Sequence, residues 1–122
     1  MNYSAKKIYV TCGWKEVHEW AAYMQSHMDE VRQSLSQEQV RHEAWYAGQD
    51  DGGLYVIGVM DVDDQEASAS IAASSSLTID QVHRQFKGHW DRSRIRDLQI
   101  APGYPPSFKD CKLVLDARPR SL

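Results

Sequence analysis

The hydrophobic pattern of the chain is clearest in residues 40–62, which predict two β-strands joined by a tight turn. The turn, residues 50–53, has the sequence DDGG, and these residues tolerate the positive φ angles that a close hairpin requires. The second strand, residues 54–62, is apolar on both faces, whereas a strand with one face in water alternates between apolar and polar residues. We therefore expect both faces of the sheet to be covered, one by helices and the other by a partner.

Two further strands and two helical regions flank this hairpin. Residues 6–12 predict a short strand, and residues 14–35 predict one long helix because apolar side chains recur there at helical spacing. After the hairpin, Asp63 and Asp64 are N-cap candidates for a helix over residues 65–73.

A second helical piece is predicted to begin at Thr78 or Asp80. Residues 100–107 form a proline-rich loop, in which a helix cannot continue, and residues 109–117 predict the last strand. The inner stripe of the second helical piece consists of Ile79, Val82, Phe86 and Trp90.

The predicted order of elements is β-α-β-β-α-β, which indicates an α+β chain with the ferredoxin-like fold. In that fold, one four-stranded antiparallel sheet carries both helices on a single face. Right-handed crossovers place the first and third strands side by side in the centre, and the last strand then pairs with the first. This pairing predicts that Cys12 and Cys111 are neighbouring buried thiols. Whether these thiols ever oxidise stays open at this point.

The face of the sheet that the helices leave uncovered is expected to carry Tyr9 and one apolar row of the third strand. An exposed apolar area of that size would favour association with another molecule or aggregation. The economical prediction is a homodimer that buries sheet against sheet about a two-fold axis. The alternative is that the proline-rich loop and the C-terminal tail cover this face.

Length, composition and charge bound the class of protein. A chain of 122 residues is the usual size of one domain, so residues 1–122 are interpreted as a single domain with a core over about 6–117. The net charge of -3 gives no basic footprint for nucleic acid or for an anionic membrane. The two cysteines fit no zinc or redox spacing, and no apolar run is long enough to cross a bilayer. We expect a cytoplasmic protein without a metal ion or other cofactor.

Three residues are the candidates for acid–base chemistry: His42, Glu43 and His83. His42 and Glu43 are adjacent on a predicted strand, so alternation sends them to opposite faces and they cannot act as a local pair. His83 lies beside the apolar stripe of the second helical piece and is predicted to meet His42 across the gap between helices and sheet. A histidine pair with a nearby carboxylate can transfer protons near neutral pH. The alternative is that both histidines are satisfied polar groups at the margin of the core.

Motifs for other kinds of site are missing from the sequence. A metal site needs three or four converging ligands, and the sequence contains no HxH, HxxxH or CxxC motif. It also contains no glycine-rich phosphate loop and no GxSxG nucleophile elbow. The aromatic residues remain, because they can line a pocket for a flat organic molecule or can equally fill a core and an interface. Trp45, Tyr55, Phe86 and Trp90 are the pocket candidates, and Trp14, Trp20, Tyr23 and Tyr46 extend that aromatic set.

The chain resembles the dimeric α+β barrel superfamily, which includes small monooxygenases and stress-response dimers, and within it is similar to a small bacterial family of unknown function. The likeness lies in RHEAWY at residues 41–46, in the turn before LYVIGVMDVDD at residues 54–64, and in IDQVHRQFKGHW at residues 79–90. It implies the fold and dimerisation. It supplies no catalytic residues, because this fold carries unrelated activities.

Three hypotheses for the function follow. The first is an uncharacterised homodimer that binds a small apolar or aromatic molecule between helices and sheet. The second is a cofactor-independent enzyme, similar to a monooxygenase or an isomerase, that uses His42 or His83 as its acid–base group. The third is a structural or interaction protein with a filled core and no pocket. A histidine that faces a cavity distinguishes the second hypothesis from the first, and the absence of any cavity beneath Trp90 and Tyr55 would identify the third.

Overall fold

The computed structural model describes residues 2–100 and 106–119 of the chain, and these residues form five strands and four helices. In chain order, the elements are β1 (Tyr3–Val10), α1 (Trp14–Ser26), α2 (Met28–Glu38), β2 (His42–Asp50), β3 (Gly53–Asp61), α3 (Gln65–Ser74), α4 (Thr78–Lys87), β4 (Trp90–Leu98) and β5 (Lys112–Ala117).

The central hairpin confirms the strongest sequence pattern. Strands β2 and β3 pair antiparallel along their whole length, from His42 opposite Asp61 to Asp50 opposite Gly53. The backbone N–H of Gly52 donates a hydrogen bond to the Asp50 carboxylate at 2.9 Å, and Gly53 has a φ of 115°, a region that favours glycine. Strand β3 also pairs with β1, so the first and third strands are neighbours, as predicted.

The prediction of a four-stranded ferredoxin-like sheet is wrong, because the sheet has five strands in the order β4-β1-β3-β2-β5. Strand β4 pairs with β1 at one edge, and β5 pairs with β2 at the other edge. Trp90, which was predicted to lie on the second helical piece, instead begins β4, a strand that the hydrophobic pattern did not predict. That strand, WDRSRIRDL, is rich in charged residues and largely exposed, which is how an edge strand avoids pairing with other chains.

The long helix predicted over residues 14–35 is divided into α1 and α2 at His27. The residue has φ -122° and ψ 38°, and its backbone N–H donates to the carbonyl of Met24. The His27 ring stacks on Tyr23 with 4.0 Å between ring centroids. The predicted apolar stripe nevertheless spans both helices, and its buried members are Val17, Ala21, Met24, Val31 and Leu35.

The second helical region is also divided in two, as predicted. The carboxylate of Asp64 caps α3 by accepting a hydrogen bond from the backbone N–H of Ala67 at 2.9 Å. Helix α4 begins at Thr78 and ends at Lys87, so Trp90 lies beyond it on β4. Ile79 and Phe86 are buried, and Val82 packs against the same cluster.

Each face of the sheet carries its own apolar cluster. The cluster on one face combines strand residues such as Ile8 and Val56 with residues of the helices, so this is the face that the helices cover. The cluster on the opposite face includes Tyr55, Ile57 and Val59, which are 5%, 4% and 1% exposed.

Residues that follow β4 cover the opposite face. Ile100 and Phe108 pack against its cluster, and the rings of Phe108 and Tyr46 meet edge to face with centroids 5.1 Å apart. The homodimer was predicted because this face was expected to be open. The described residues favour the alternative cover, and the homodimer stays a prediction. The middle of the proline-rich loop, residues 101–105, lies outside the described residues.

The prediction that Cys12 and Cys111 are neighbouring buried thiols is wrong. It assumed that the last strand pairs with the first, but β5 pairs with β2. Cys12 packs against the helix-side cluster, whereas Cys111 packs against the cluster on the opposite face. Both thiols are free and half-buried.

The helices of the described residues include none that is long and apolar enough to cross a membrane. The helices pack on one face of the sheet, and a cavity lies between them and that face.

Candidate functional site

A cavity of about 580 Å³ lies between the helices and the helix-facing side of the sheet. The sheet contributes Glu43, Trp45 and Gly58, α1 contributes Trp20, and β4 contributes Trp90 and Arg92. Helix α2 contributes Ser34 and Glu38, α3 contributes Ser68, Ala69, Ala72 and Ala73, and α4 contributes Asp80, His83, Arg84 and Lys87.

The cavity exists because small residues stand at two of its walls. Gly58 lies directly opposite Trp45 in the pairing of β2 with β3, and a methyl group at position 58 would come within 2.7 Å of Cη2 of Trp45. The glycine therefore lets the Trp45 indole lie over the sheet. On the other side, α3 presents the short side chains of Ser68, Ala69 and Ala72 to the cavity. Larger residues at these positions would fill the space that they leave.

Four aromatic rings pack together along one side of the cavity. The Trp20 indole stacks on Phe86 with 4.3 Å between centroids and an interplanar angle of 7°, and it also stacks on His83 at 5.6 Å. Trp45 meets Trp20 edge to face at 5.4 Å and His83 at 5.5 Å. These contacts hold the His83 ring in a fixed orientation between two indoles.

Three polar nitrogen atoms of the cavity wall have no partner within the described part of the chain. They are Nε1 of Trp20, Nε1 of Trp90 and Nδ1 of His83, and all three atoms are buried. An indole nitrogen can only donate, whereas an imidazole nitrogen donates or accepts according to its tautomer. Because a buried polar atom without a partner destabilises the fold, such atoms indicate a site that is made for something other than folding.

Burial lowers the pKa of His83 to about 3, and the positive charges of Lys87 and Arg84 act in the same direction. The imidazole is therefore neutral throughout the physiological range. A neutral imidazole has one N–H donor and one acceptor nitrogen. His83 thus offers a polar contact without adding a charge to the cavity.

Glu43 places a carboxyl group beside the same aromatic rings. One of its oxygens accepts a hydrogen bond from Nε1 of Trp45 at 2.8 Å, since alternation puts residues 43 and 45 on the same face of β2. Burial raises the pKa of Glu43, although the bond from Trp45 and the charge of Lys87 oppose that shift. Burial thus favours the protonated form of this carboxyl.

A second group of carboxyls lies where α2 meets α4. The Ser34 hydroxyl is 3.0 Å from an oxygen of Glu38 and 2.6 Å from an oxygen of Asp80. A hydroxyl has a single proton to donate, so both contacts are hydrogen bonds only when one carboxyl is itself protonated. Burial raises the pKa of Glu38 to about 7, and the charges of Glu43 and Asp80 add to that shift. Glu38 is therefore the carboxyl that keeps its proton.

The structure brings some of the predicted site residues together and separates others. Glu43, Trp45, His83 and Trp90 all line the cavity, and Phe86 lies behind Trp20 without lining it. His42 and Tyr55 lie on the opposite face of the sheet, so Tyr55 is not part of this cavity. The prediction that His42 meets His83 across the gap is wrong for the same reason, since residue 42 points away from the face that carries Glu43.

His42 is instead held in a hydrogen-bonded chain on that opposite face. Its Nδ1 is 2.9 Å from the Tyr3 hydroxyl, and its Nε2 is 2.5 Å from a carboxylate oxygen of Asp116. The side chain is 7% exposed, and both ring nitrogens have partners. These contacts join three strands, β1, β2 and β5. They agree with the alternative prediction that His42 is a satisfied polar group.

The charged lining of the cavity was missed in the sequence, although a signal for it exists. Asp80, His83, Arg84 and Lys87 are spaced three, four and seven residues from the first, which places them on one face of α4. That polar stripe lies beside the apolar stripe of the same helix. A polar stripe of this kind is usually exposed to solvent, so sequence alone gives no reason to place it in a cavity.

No group of three or more metal-binding side chains occurs among the residues that the structure describes.

Comparison with known proteins gives one match. Residues 1–107 match a protein family that is described as a family of unknown function, DUF6176. No curated protein and no solved structure matches the chain.

Proposed function

The chain belongs to the DUF6176 family, whose function is unknown, and from its cavity we propose that it binds a small planar organic molecule between helices and sheet. A volume of about 580 Å³ falls within the range of small-molecule sites, which is roughly 300–1,000 Å³. The walls combine aromatic rings with polar and charged side chains that can orient a ligand.

The observation that carries the proposal is the set of buried nitrogen atoms without partners. Trp20, Trp90 and His83, the residues that carry these buried atoms, all line one cavity. In a filled core, these atoms would cost stability with no return, so they argue against a purely structural role. A flat molecule with hydrogen-bond acceptors would satisfy the two indole N–H groups while it contacts the rings.

The proposal can be tested with phenylnaphthylamine, a neutral aromatic dye that carries flat rings and whose fluorescence rises in apolar surroundings. We expect saturable binding of one dye per chain. Ala72→Leu places a larger side chain in the cavity wall and should weaken the affinity by about tenfold, which corresponds to about 1.4 kcal/mol. Ala67→Leu on the same helix is the matched control, because Ala67 is exposed and does not line the cavity. Equal affinity in the wild type and in both variants would contradict the proposal.

A second measurement reports the natural ligand. Native mass spectrometry of protein purified without added ligand should show an adduct of constant mass. Ala72→Leu should reduce that adduct and Ala67→Leu should preserve it. An adduct that persists in Ala72→Leu binds elsewhere on the chain.

Catalysis by Glu43 is a second candidate function, because its carboxyl has a raised pKa and lies beside an aromatic cavity. His83 is a poor base here, since its pKa is about 3. Ring opening of nitrobenzisoxazole tests the candidate: a base removes the carbon-bound proton, the N–O bond breaks and a coloured phenolate forms. We expect Glu43→Gln to abolish any rate above the buffer reaction, and His83→Gln to leave most of it.

A further inference from the structure

Two cations lie close to the indole of Trp90 and to each other, since, besides burial, the charge of Arg92 contributes to the lowered pKa of Lys87. Nζ of Lys87 is 5.4 Å from the ring centroid, and Cζ of Arg92 is 5.3 Å from it. Both residues line the cavity, Lys87 from the last turn of α4 and Arg92 from β4. The indole N–H of Trp90, which has no partner in residues 2–100 or 106–119, lies in the same part of the wall.

These two cations differ from the other positively charged residues of the lining. Arg84 donates hydrogen bonds to the carbonyls of Ala72 and Ser75, and Lys6 is 3.9 Å from Asp97. Within the part of the chain that the structure describes, neither Lys87 nor Arg92 makes a hydrogen bond or an ion pair. Lys87 is half-buried, and burial lowers its pKa. A half-buried ammonium without a partner is unfavourable unless a negative charge is brought to it.

The carboxyl groups of Glu43 and Glu38 act on Lys87 through their charges, which raise its pKa against the effect of burial, but neither is an ion-pair partner of Lys87 in the described residues. Glu43 accepts from the Trp45 indole, and Asp80 accepts from the hydroxyls of Ser34 and Ser75. Glu38 contacts Ser34, and its pKa of about 7 keeps it largely protonated below that pH. None of the three forms an ion pair with Lys87 or Arg92 in the described residues, and two of them are held towards the neutral form by burial.

We propose that the molecule bound in this cavity is a planar aromatic acid, whose ionised acid group contacts Lys87 and Arg92 beside Trp90. The inference rests on the proposed function and adds the charge and orientation of the ligand to it. The aromatic body lies against Trp20, Trp45 and His83, and the oxyanion accepts from the two cations beside the Trp90 ring. Oxyanions make their strongest hydrogen bonds to charged donors of this kind.

Two dyes with the same ring system separate the charge from the shape. Phenylnaphthylamine is neutral, and anilinonaphthalene sulfonate carries an added sulfonate on the same rings. We expect the wild type to bind the sulfonate about tenfold more tightly than the neutral dye, as a charge-assisted hydrogen bond in a partly buried site predicts. Lys87→Met and Arg92→Gln should each reduce that preference by several-fold.

Arg96→Gln is the matched control for charge. Arg96 is a neighbouring cation on β4, but it does not line the cavity. Its position is opposite Lys7 in the backbone pairing of β4 with β1. This variant should keep the full preference for the sulfonate, so that a uniform effect of net charge is excluded.

The outcomes distinguish this inference from the proposed function. If both dyes bind with equal affinity and Ala72→Leu weakens both, the cavity binds aromatic molecules, but the proposal that the ligand carries an acid group is overturned. A preference that falls equally in Arg96→Gln also overturns it, because the cause would then be net charge. If neither dye binds, the proposed function and this inference fail together.

Discussion

The Trp45 indole occupies the space that a side chain on Gly58 would need. The two residues are directly opposite in the pairing of β2 with β3, and a methyl group at position 58 would lie 2.7 Å from Cη2 and 2.8 Å from Cζ3 of Trp45. The glycine is thus a condition for the ring position that shapes the cavity and holds the hydrogen bond to Glu43.

Gly58→Ala is expected to displace the indole of Trp45. Overpacking of this kind typically costs about 1–3 kcal/mol, so the free energy of unfolding should fall by that amount in a urea titration. The displaced ring should also weaken binding of phenylnaphthylamine. Unchanged dye affinity in a folded Gly58→Ala variant would show that the Trp45 ring does not shape the site.

Gly48→Ala is the matched control on the opposite face of the sheet. A methyl group there would lie 2.8 Å from Cβ of Cys111 and would also collide with Tyr55. We expect a similar loss of stability, because the collision is similar, but unchanged dye affinity, because this glycine does not line the cavity.

The hairpin and the apolar stripes could be predicted from the sequence because their signals are local. The DDGG turn permits only a close reversal, and helical spacing from Val17 to Leu35 defines one buried face whether or not the helix is broken at His27. The break could not be predicted, because no Pro or Gly occurs near His27 in the sequence. Strand β4 was missed because an edge strand with WDRSRIRDL satisfies its charged side chains in water and lacks a strong apolar alternation.

The candidate site could be predicted only in part, because alternation fixes relative faces and not absolute ones. It places Glu43 and Trp45 on one face and His42 on the other, as observed. Which face meets the helices depends on how every strand packs, and this choice decides that Trp45 lines the cavity whereas Tyr55 does not. The cations at Trp90 come from α4 and β4, and their meeting required the strand that was missed.

The carboxyl group of Glu38 should make stability depend on pH between about 4.5 and 7. Its folded pKa of about 7 lies above its ordinary value of 4.5, so the folded chain holds a proton that the unfolded chain releases. The contribution is complete below pH 4.5 and is lost as the pH rises through 7. Asp80 and Glu43 face Glu38 and raise its pKa, whereas Ser34 and Lys87 oppose them.

Each unit of pKa shift corresponds to about 1.4 kcal/mol, and solvent screening at this partly exposed side chain reduces the total to about 1–2 kcal/mol. Glu38→Gln should remove the slope, because the amide does not titrate. The measurement is the difference in unfolding free energy between wild type and Glu38→Gln at pH 5 and pH 8. An identical difference at both pH values would refute the raised pKa.

The two candidate histidines should respond differently to truncation. His42→Ala breaks the chain of hydrogen bonds from Tyr3 to Asp116 and should lower the free energy of unfolding by about 1–3 kcal/mol without changing dye affinity. His83→Ala enlarges the cavity between Trp20 and Trp45 and should change dye affinity by several-fold. The measurements are urea titration and dye binding for both variants. Weaker dye binding in His42→Ala would assign His42 to the site.

Phe108 is expected to keep the sheet face opposite the helices covered. Its ring meets Tyr46 and packs on a cluster that contains Ile57 and Val59, so removal of the ring would expose an apolar patch. Phe108→Asp should therefore raise the apparent mass in native mass spectrometry above the 14.0 kDa of one chain, while the wild type remains at that mass. Lys109→Asp is the control. Lys109 is exposed and lies next to Phe108, and its substitution introduces the same carboxylate without removing an apolar ring. A wild-type mass of two chains would contradict this expectation, and the two copies would then have to meet through a surface other than the sheet face predicted from the sequence, because Phe108 covers that face.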